Sequence, residues 1–314
     1  MKIIHICLLW ICVISVSIAD TSGADFLFVP DDSVSASHAG AILADYSGPH
    51  TINGNPANIG RLEGIQLSLS HCFWLFDTSS ESLQTVMGLP VGSAGISVNM
   101  QNYNNIAVRD SWGEILNEVQ PIDLAAKGVY AITVAETPDI EITVGGGAQY
   151  IFRSIDDTLV NGVSFEAGGL FTYYHFNPET LSNKKQPFFN SLSVGLAVKN
   201  IGPDVGGDLM AYDIGLGVGA SFFNNLSLLL DANITAAYPY SLSFGAEYLL
   251  YNMVRISGGV NFEQDIFNYA GGIGGLWKFN TNTLRADYAI SIKKENGLVH
   301  IITLTYLFGK GNSK

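Results

Sequence analysis

Histidine, cysteine and serine are the residue types that could support nucleophilic or metal chemistry in this chain, and their spacing favours neither. The six histidines are scattered along the sequence: His5, His38, His50, His71, His175 and His300. None has the spacing of a metal-ligand motif or a catalytic triad, and no Gly-x-Ser-x-Gly motif occurs. Cys7 and Cys12 fall in the first twenty residues, which leaves Cys72 alone. We therefore expect no enzyme activity, no metal and no cofactor, the alternative being a membrane hydrolase that uses His38 or His175 with a serine.

The first nineteen residues have the pattern of an export signal. Lys2 precedes an apolar run over residues 3–17, and the small residues Ser17 and Ala19 occupy the two positions that a signal peptidase reads. We predict cleavage after Ala19, with cleavage after Ala24 as the second choice. The alternative is a retained membrane anchor, for which the run is short.

The chain as a whole combines high apolar content with little charge. Of its 314 residues 47% are hydrophobic and 14% are charged, with a formal net charge of −13, whereas about a quarter of the residues of an ordinary globular domain are charged. The acidic balance argues against a nucleic-acid partner. No run of 18 or more apolar residues follows residue 19, which excludes a helical membrane protein.

In place of long apolar runs, the sequence shows apolar residues at every second position. Ile214, Leu216 and Val218, for example, alternate with Gly215 and Gly217, so that one face of a strand is apolar and the other is small or polar. Segments of this kind, mostly of the length of a tilted membrane-crossing strand, lie at 64–73, 83–90, 94–103, 125–135, 140–152, 163–175, 191–199, 211–221, 226–234, 242–249, 254–262, 269–279, 284–292 and 299–308. We predict an all-β transmembrane antiparallel barrel of about fourteen strands. The long connectors 104–124 and 177–189 read as extracellular loops with helix-compatible sequence.

Charged residues within the predicted strands fall on the polar face. By the alternation, seven residues point into the barrel: Glu166, Lys199, Asp231, Glu247, Arg255, Arg285 and Asp287. The positions facing lipid carry no charge, which fixes the register because a lysine or arginine facing lipid costs roughly 2–4 kcal/mol near the midplane. These charges either form a salt-bridge network inside the barrel, or line a solute path and hold a plug.

Residues 31–61 show no periodicity and are rich in glycine, proline and small side chains. Irregular backbone of this kind needs internal partners if it lies in a barrel. Asn55, which precedes Pro56, is held out of the helical region, and its side chain can bond nearby backbone. We predict a plug or gate with Asn55, Pro56 and Ala57 at its centre, the alternative being a periplasmic tail.

The last predicted strand ends in an aromatic residue. Leu304, Tyr306 and Phe308 share one face with Ile302. This pattern resembles the carboxyl-terminal signal by which the barrel assembly machinery recognises outer-membrane proteins, although six residues follow Phe308 here.

Two short motifs resemble the PorV/PorQ family of outer-membrane proteins, a branch of the FadL-like barrels. The first is Ala39-Gly40-Ala41, separated by thirteen residues from Asn55-Pro56-Ala57-Asn58-Ile59, and the second is Asn200-Ile201-Gly202-Pro203. The chain departs from the family in having Ser47-Gly48 in place of paired acids and Asn58 in place of glycine. The resemblance implies a fourteen-stranded barrel with an amino-terminal plug, which in FadL relatives gates long-chain fatty acids or other hydrophobic solutes and in PorV relatives serves type IX protein secretion.

These inferences give four segments: a signal peptide at 1–19, a plug at 20–62, a barrel at 63–309 and a tail at 310–314. We expect a bacterial outer-membrane channel for hydrophobic solutes, or else an accessory barrel of a type IX-like secretion system or a structural protein without transport activity. The expected partners are outer-membrane lipid, the barrel assembly machinery, and a hydrophobic small molecule or a secreted cargo protein.

Overall fold

The computed structural model describes residues 23–156, 158–175, 188–223, 225–236, 240–263, 266–293 and 297–309. The predicted signal peptide and the predicted tail lie outside these residues. None of the helices in these ranges is long and apolar enough to cross a membrane.

Sixteen strands, numbered β1–β16 in chain order, form over the described residues, and fourteen of them close into one antiparallel barrel. The barrel order is β1, β2, β3 and then β6 through β16, with β16 paired back to β1. The remaining two strands form a separate hairpin. The fold class predicted from the sequence, a barrel of about fourteen antiparallel strands, is thereby confirmed.

The barrel strands agree with the segments predicted from the period of two, and several extend further. Their bounds are β1 Ile65–Phe73, β2 Ser79–Gly88, β3 Ser93–Asn102, β6 Ile122–Glu136, β7 Ile140–Ile155, β8 Thr158–Tyr174, β9 Phe189–Ile201, β10 Asp213–Phe222, β11 Leu226–Thr235, β12 Ser241–Leu250, β13 Val254–Glu263, β14 Ile266–Phe279, β15 Asn282–Lys293 and β16 Gly297–Phe308.

The alternation that predicted the strands also separates the two faces of the barrel wall. On β10, Ile214 and Leu216 point outward and are 41% and 51% exposed, whereas Gly215 and Gly217 point inward. On β16, Leu304 and Phe308 face outward and half-exposed, with Tyr306 on the same face. The outer surface is therefore the apolar one, as a barrel in lipid requires.

A histidine–glutamate pair breaks this pattern on the outer face. His71 of β1 and Glu81 of β2 are cross-strand neighbours that point outward, with 3.1 Å between Nδ1 and Oε1. Asn102 of β3 also donates to Glu81, at 2.6 Å. The prediction that outward positions carry no charge is wrong here. The pair lies near the ends of its strands and satisfies its own hydrogen bonds, and both conditions lower the cost of polar groups near lipid.

The two ends of the barrel differ in their connections. One end, called here the turn mouth, holds the start of β1, the end of β16 and short turns such as 251–253 and 280–281. In the first of these turns Tyr251 and Asn252 both have positive φ, and Met253 N donates to Leu250 O at 3.1 Å, as in a type I′ turn. The other end, called the loop mouth, carries the longer β3–β6 and β9–β10 connections.

The β3–β6 connector is a β-hairpin instead of the helix-compatible loop expected. Strands β4 (Ile106–Arg109) and β5 (Ile115–Val119) pair with each other. The Asp110 carboxylate accepts from Trp112 N at 2.8 Å and from Glu114 N at 2.9 Å, which closes the turn between the two strands.

The β8–β9 connector was expected on the same side as the β3–β6 connector, and this is wrong. Three strands separate the two connectors, so the flanking ends of β8 and β9 lie at the turn mouth, opposite the β3–β6 hairpin. Residues 176–187 of this connector are outside the described ranges.

Candidate functional site

Residues 23–62, called the plug from here on, run through the lumen from one mouth to the other. At the loop mouth Gly23 N donates to Leu209 O at 2.8 Å. At the turn mouth Arg61 Nε lies 3.0 Å from Glu141 Oε2 of β7. The plug contains one short helix, α1 (Ser33–Ser37), and three 3-10 turns at Asp25–Phe28, Pro49–Asn53 and Pro56–Arg61. Its described residues add no strand to the wall, so polar side chains and packing hold it in place.

The side chain of Asn55 joins three pieces of backbone at the centre of the plug. Asn55 is fully buried and extended, with φ −142° and ψ 120°, as its position before Pro56 requires. Its Oδ1 accepts from Ala57 N at 3.0 Å, and its Nδ2 donates to Leu43 O at 3.0 Å and to Gly169 O of β8 at 3.1 Å. The motif residues thus hold the plug to itself and to the wall.

Asp231 of β11 binds the neighbouring stretch of the plug. Its Oδ2 accepts from Ile42 N at 2.6 Å and from Leu43 N at 2.8 Å, and the side chain is fully buried. Asn58 Nδ2 donates to Ile42 O at 3.0 Å from the other side. Asp231, one of the predicted lumen charges, therefore holds the plug in place. Because it is buried against the plug, it does not line a solute path.

Glycines on the inner face of the wall make room for the plug. A Cβ on Gly195 of β9 would lie 2.0 Å from Leu43 O, and a Cβ on Gly168 of β8 would lie 2.0 Å from Asn55 Oδ1. A Cβ would also lie within 3 Å of plug atoms at other inward-facing glycines, among them Gly145, Gly217, Gly245, Gly259 and Gly272. The small inner residues seen in the sequence thus match the shape of the plug, a reason beyond the curvature of the barrel.

Replacing Gly195 with alanine is expected to loosen the plug. The added methyl group collides with the Leu43 carbonyl, and overpacking of this kind costs about 1–3 kcal/mol. Arg61 is the sole lysine or arginine between residues 20 and 63, so cleavage by trypsin after Arg61 reports undocking. We expect this cleavage, followed by mass spectrometry, to be about tenfold faster in Gly195→Ala.

The matched control is Gly128→Ala. An alanine there has open space around its Cβ and points outward, so the cleavage rate should stay at the wild-type value. Equal rates in both variants would show that the Gly195 contact does not hold the plug.

Four of the predicted lumen charges form one chain of contacts on β12, β13 and β15. Arg255 pairs with Glu247, and its Nη1 lies 3.5 Å from Asp287 Oδ1. Arg285 Nε lies 2.8 Å from Asp287 Oδ2. The plug joins this chain through His38, whose Nε2 lies 3.3 Å from Glu247 Oε2. Because buried charges are costly without partners, the chain gives the plug a polar anchor.

The other two predicted lumen charges are also paired. Glu166 Oε2 lies 2.8 Å from Lys127 Nζ of β6. Lys199 Nζ lies 2.9 Å from Asp213 Oδ2 of β10 and donates to Asn53 O of the plug at 3.1 Å. All seven predicted residues therefore face the lumen, and Asp231, Lys199 and Glu247 contact the plug directly.

Two acids of the plug itself have shifted pKa values. His50 Nε2 lies 3.0 Å from Asp45 Oδ2, and although burial opposes it, this hydrogen bond lowers the pKa of the Asp45 carboxyl. Asp31 differs, because burial and the neighbouring Asp32 raise its pKa to about 6. Asn53 Nδ2 donates to the Asp31 carboxyl. Asp31 thus takes up a proton in mildly acidic solution, where an ordinary aspartate remains charged.

Arg61 anchors the plug at the turn mouth. Its guanidinium carbon lies 4.4 Å from the ring centre of Tyr46 and 5.0 Å from that of Tyr174, in addition to the ion pair with Glu141. The Tyr174 hydroxyl donates to Glu141 at 3.2 Å. Stacked cation–π contacts of this kind favour arginine over lysine.

A cavity of about 1000 Å³, called the vestibule, lies between the plug and the loop mouth. Apolar residues of the plug and of the β1–β2 connection line part of it: Leu27, Phe28, Val29, Trp74 and Leu75. Polar residues of β11 to β15 line another part: Asn233, Ser241, Ser243, Asn261, Asn268 and Ser291. Its volume suits a small organic molecule.

The histidines occupy separate environments. His38 and His50 pair with carboxylates inside the lumen, His71 pairs on the outer face, and the Tyr288 hydroxyl lies 2.7 Å from His300 Nδ1 on the outer face. Within the described ranges no group of three or more His, Cys, Asp or Glu side chains could hold a metal ion. His5 lies outside those ranges, and the absence of enzyme activity stays a prediction.

Several residues of the lumen and the plug were missed in the sequence. Lys127, Glu141 and Asp213 point inward by the same alternation that identified the seven charges, so extending the pattern to them would have sufficed. Asn58 was noted as an exception to the family motif, although its side chain bonds the plug backbone. No sequence pattern signalled the Ile42 and Leu43 amides, because every residue but proline carries one.

No family model and no curated protein matches this sequence. Among solved structures the chain is similar to the toluene transporter TbuX of Ralstonia pickettii, at 14% identity and a TM-score of 0.56, over 90% of this chain and 100% of that one. It is equally similar to CymD, a monoaromatic hydrocarbon channel, at 13% identity and a TM-score of 0.56, over 90% and 98% of the two chains.

The chain therefore shares the barrel fold of these two proteins. Its own wall is a closed barrel of fourteen strands, and the plug runs through its lumen. The likeness concerns the fold and adds nothing specific to PorV/PorQ.

Proposed function

We propose that this protein is an outer-membrane channel that takes up small hydrophobic molecules, with the plug as its gate. The observation that carries the proposal is the vestibule, which is lined in part by apolar residues and ends on the plug. A molecule that enters from the loop mouth meets a segment held by hydrogen bonds and ion pairs, which can be broken and remade. Displacement of the plug opens the way to the turn mouth.

The fold and the wall support this location and activity. Two solved structures of similar fold are described as a toluene transporter and a monoaromatic hydrocarbon channel. The outward strand faces are apolar, which suits lipid as the surrounding medium. The predicted signal peptide provides export, and the aromatic carboxyl-terminal strand provides the signal for the barrel assembly machinery. We assign no catalytic role to the protein.

Uptake into liposomes tests the proposal. We expect vesicles containing the protein to take up labelled toluene or a labelled medium-chain alcohol such as 1-decanol faster than empty vesicles. A tryptophan in place of Ser243, which faces the vestibule, should lower the rate by roughly tenfold because its side chain fills the cavity. The matched control is Leu242→Trp, since Leu242 is the adjacent outward-facing residue and 48% exposed.

Uptake of neither compound above the rate of empty vesicles would contradict the proposal. Equal loss in both tryptophan variants would place the path outside the vestibule.

A second candidate is an accessory barrel for type IX-like secretion, which the PorV/PorQ resemblance favours. The supporting observation is that the motif residues Asn55 to Ala57 form the buried centre of the plug. Under this function a deletion strain should lose export of cargo proteins while hydrophobic uptake stays normal. A barrel with a purely structural role should leave both unchanged.

A further inference from the structure

The polar lining of the vestibule is an organised surface of neutral groups. Asn261 Nδ2 donates to Ser241 Oγ at 2.8 Å and to Ser243 Oγ at 2.9 Å. Asn268 Nδ2 lies 3.3 Å from Asn261 Oδ1. These three neighbouring strands, β12 to β14, thus present amides and hydroxyls in fixed orientations, and such groups can both donate to and accept from a ligand.

The vestibule is also acidic. Asp25, Asp31, Asp213 and Glu263 line it, against two lysines, Lys199 and Lys293. The Lys199 ammonium is already engaged with Asp213 Oδ2 at 2.9 Å and Asn53 O at 3.1 Å. Lys293 lies close enough to Glu263 to attract its carboxylate. No arginine is among the described residues that line the cavity.

Two ligand classes therefore fit poorly. A carboxylate would meet more acids than lysines, and each lysine already has a carboxylate neighbour, so a fatty-acid anion would be repelled. A plain hydrocarbon would lie against amides and hydroxyls that it cannot bond, which loses the hydrogen bonds those groups make with water.

We propose that the vestibule selects uncharged amphipathic molecules, namely an apolar chain or ring that carries a hydroxyl or amide group. The apolar part packs on Leu27, Phe28, Val29 and Trp74, and the neutral polar group bonds Asn261 and the serines beside it. This proposal rests on the proposed function and specifies the substrate class for the same cavity.

Quenching of Trp74 fluorescence measures binding at the apolar lining. The protein without residues 1–19, which contain Trp10, is placed in lipid nanodiscs with Trp112 and Trp277 changed to phenylalanine, so that Trp74 is the reporter. The probes are 10-bromodecanamide, 10-bromodecanoate and 1-bromodecane, which share a bromine quencher and differ in the polar group. Measurement at pH 8 keeps the acid charged.

The membrane also dissolves these probes, and a second protein corrects for this. In it Trp74 and Trp112 are changed to phenylalanine while Trp277 is kept, since Trp277 lies on the outer face and is 46% exposed. Its quenching reports the probe concentration in the surrounding lipid. For each probe, the result is therefore expressed as the concentration of probe in the lipid at which half of the Trp74 fluorescence is quenched.

We expect the amide to half-quench Trp74 at a concentration about tenfold lower than either the carboxylate or the hydrocarbon does. In Asn261→Leu this preference for the amide over the hydrocarbon should disappear. Stronger or equal quenching by the carboxylate or the hydrocarbon overturns the proposal while leaving the uptake function standing. Quenching by none of the three probes overturns both, because the vestibule is then not a binding site.

Discussion

A disulfide between the plug and the wall is expected to stop uptake. Ser37 Oγ of α1 and Ser257 Oγ of β13 lie 2.8 Å apart, close enough for a pair of cysteines at these positions to bond after a small adjustment. The buried Cys72 is changed to alanine in the same protein. If the plug must leave its site for a molecule to pass, the oxidised protein should lose nearly all uptake and regain it on reduction.

Two controls separate a locked gate from a damaged barrel. The single variants Ser37→Cys and Ser257→Cys, each with Cys72→Ala, should transport equally with and without oxidant. Heat-dependent migration on gels should show that all variants are folded. Full uptake by the oxidised double variant, with the disulfide verified by mass spectrometry, would mean that α1 stays in place during transport.

Deletion of residues 33–61 is expected to give the second large effect, an open pore. The wall strands make all the backbone pairings needed in lipid, so the barrel should still fold. With this part of the plug gone, the lumen of a fourteen-stranded barrel should fill with water, and single-channel conductance in planar bilayers should rise by roughly tenfold or more.

A milder change at the same site gives the matched comparison. Asp231→Asn keeps the size of the side chain but weakens its bonds to the Ile42 and Leu43 amides, and hydrogen bonds to charged groups contribute about 1.5–3 kcal/mol. We expect brief openings to appear in this variant on an otherwise closed background. Unchanged conductance after the full deletion, in protein that migrates as folded, would show that the plug does not block the pore.

The strands were predictable because each meets lipid on one side and a polar interior on the other. That contrast imposes a strict period of two, as on β10. The inward-facing positions of this pattern identified all seven lumen charges. The side of the β8–β9 connector was also deducible, since the three predicted strands between it and the β3–β6 connector place the two at opposite mouths.

The pairing inside the lumen could not be read from the sequence. The contact of Asp231 with Ile42 joins residues 189 positions apart, and it depends on where an aperiodic segment lies within the wall. Gly195 illustrates the same point, because a strand glycine predicts space but not what fills it. The outward His71–Glu81 pair escaped notice since the alternation was strict on most strands and was assumed to hold for charge on all of them.

The path of the plug through the whole lumen bears on the order in which the protein is built. The barrel closes where β1 pairs with β16. Because β1 is synthesised first and β16 last, the barrel cannot close until the whole wall has been made. The plug precedes β1 directly, and its described residues reach from the turn mouth to Leu209 at the far end. Threading such a chain through a finished, glycine-fitted tube would require breaking contacts all along its length. If the plug is in place while the sheet is still open, no such contacts have to be broken. The strands of the wall can then assemble around the plug.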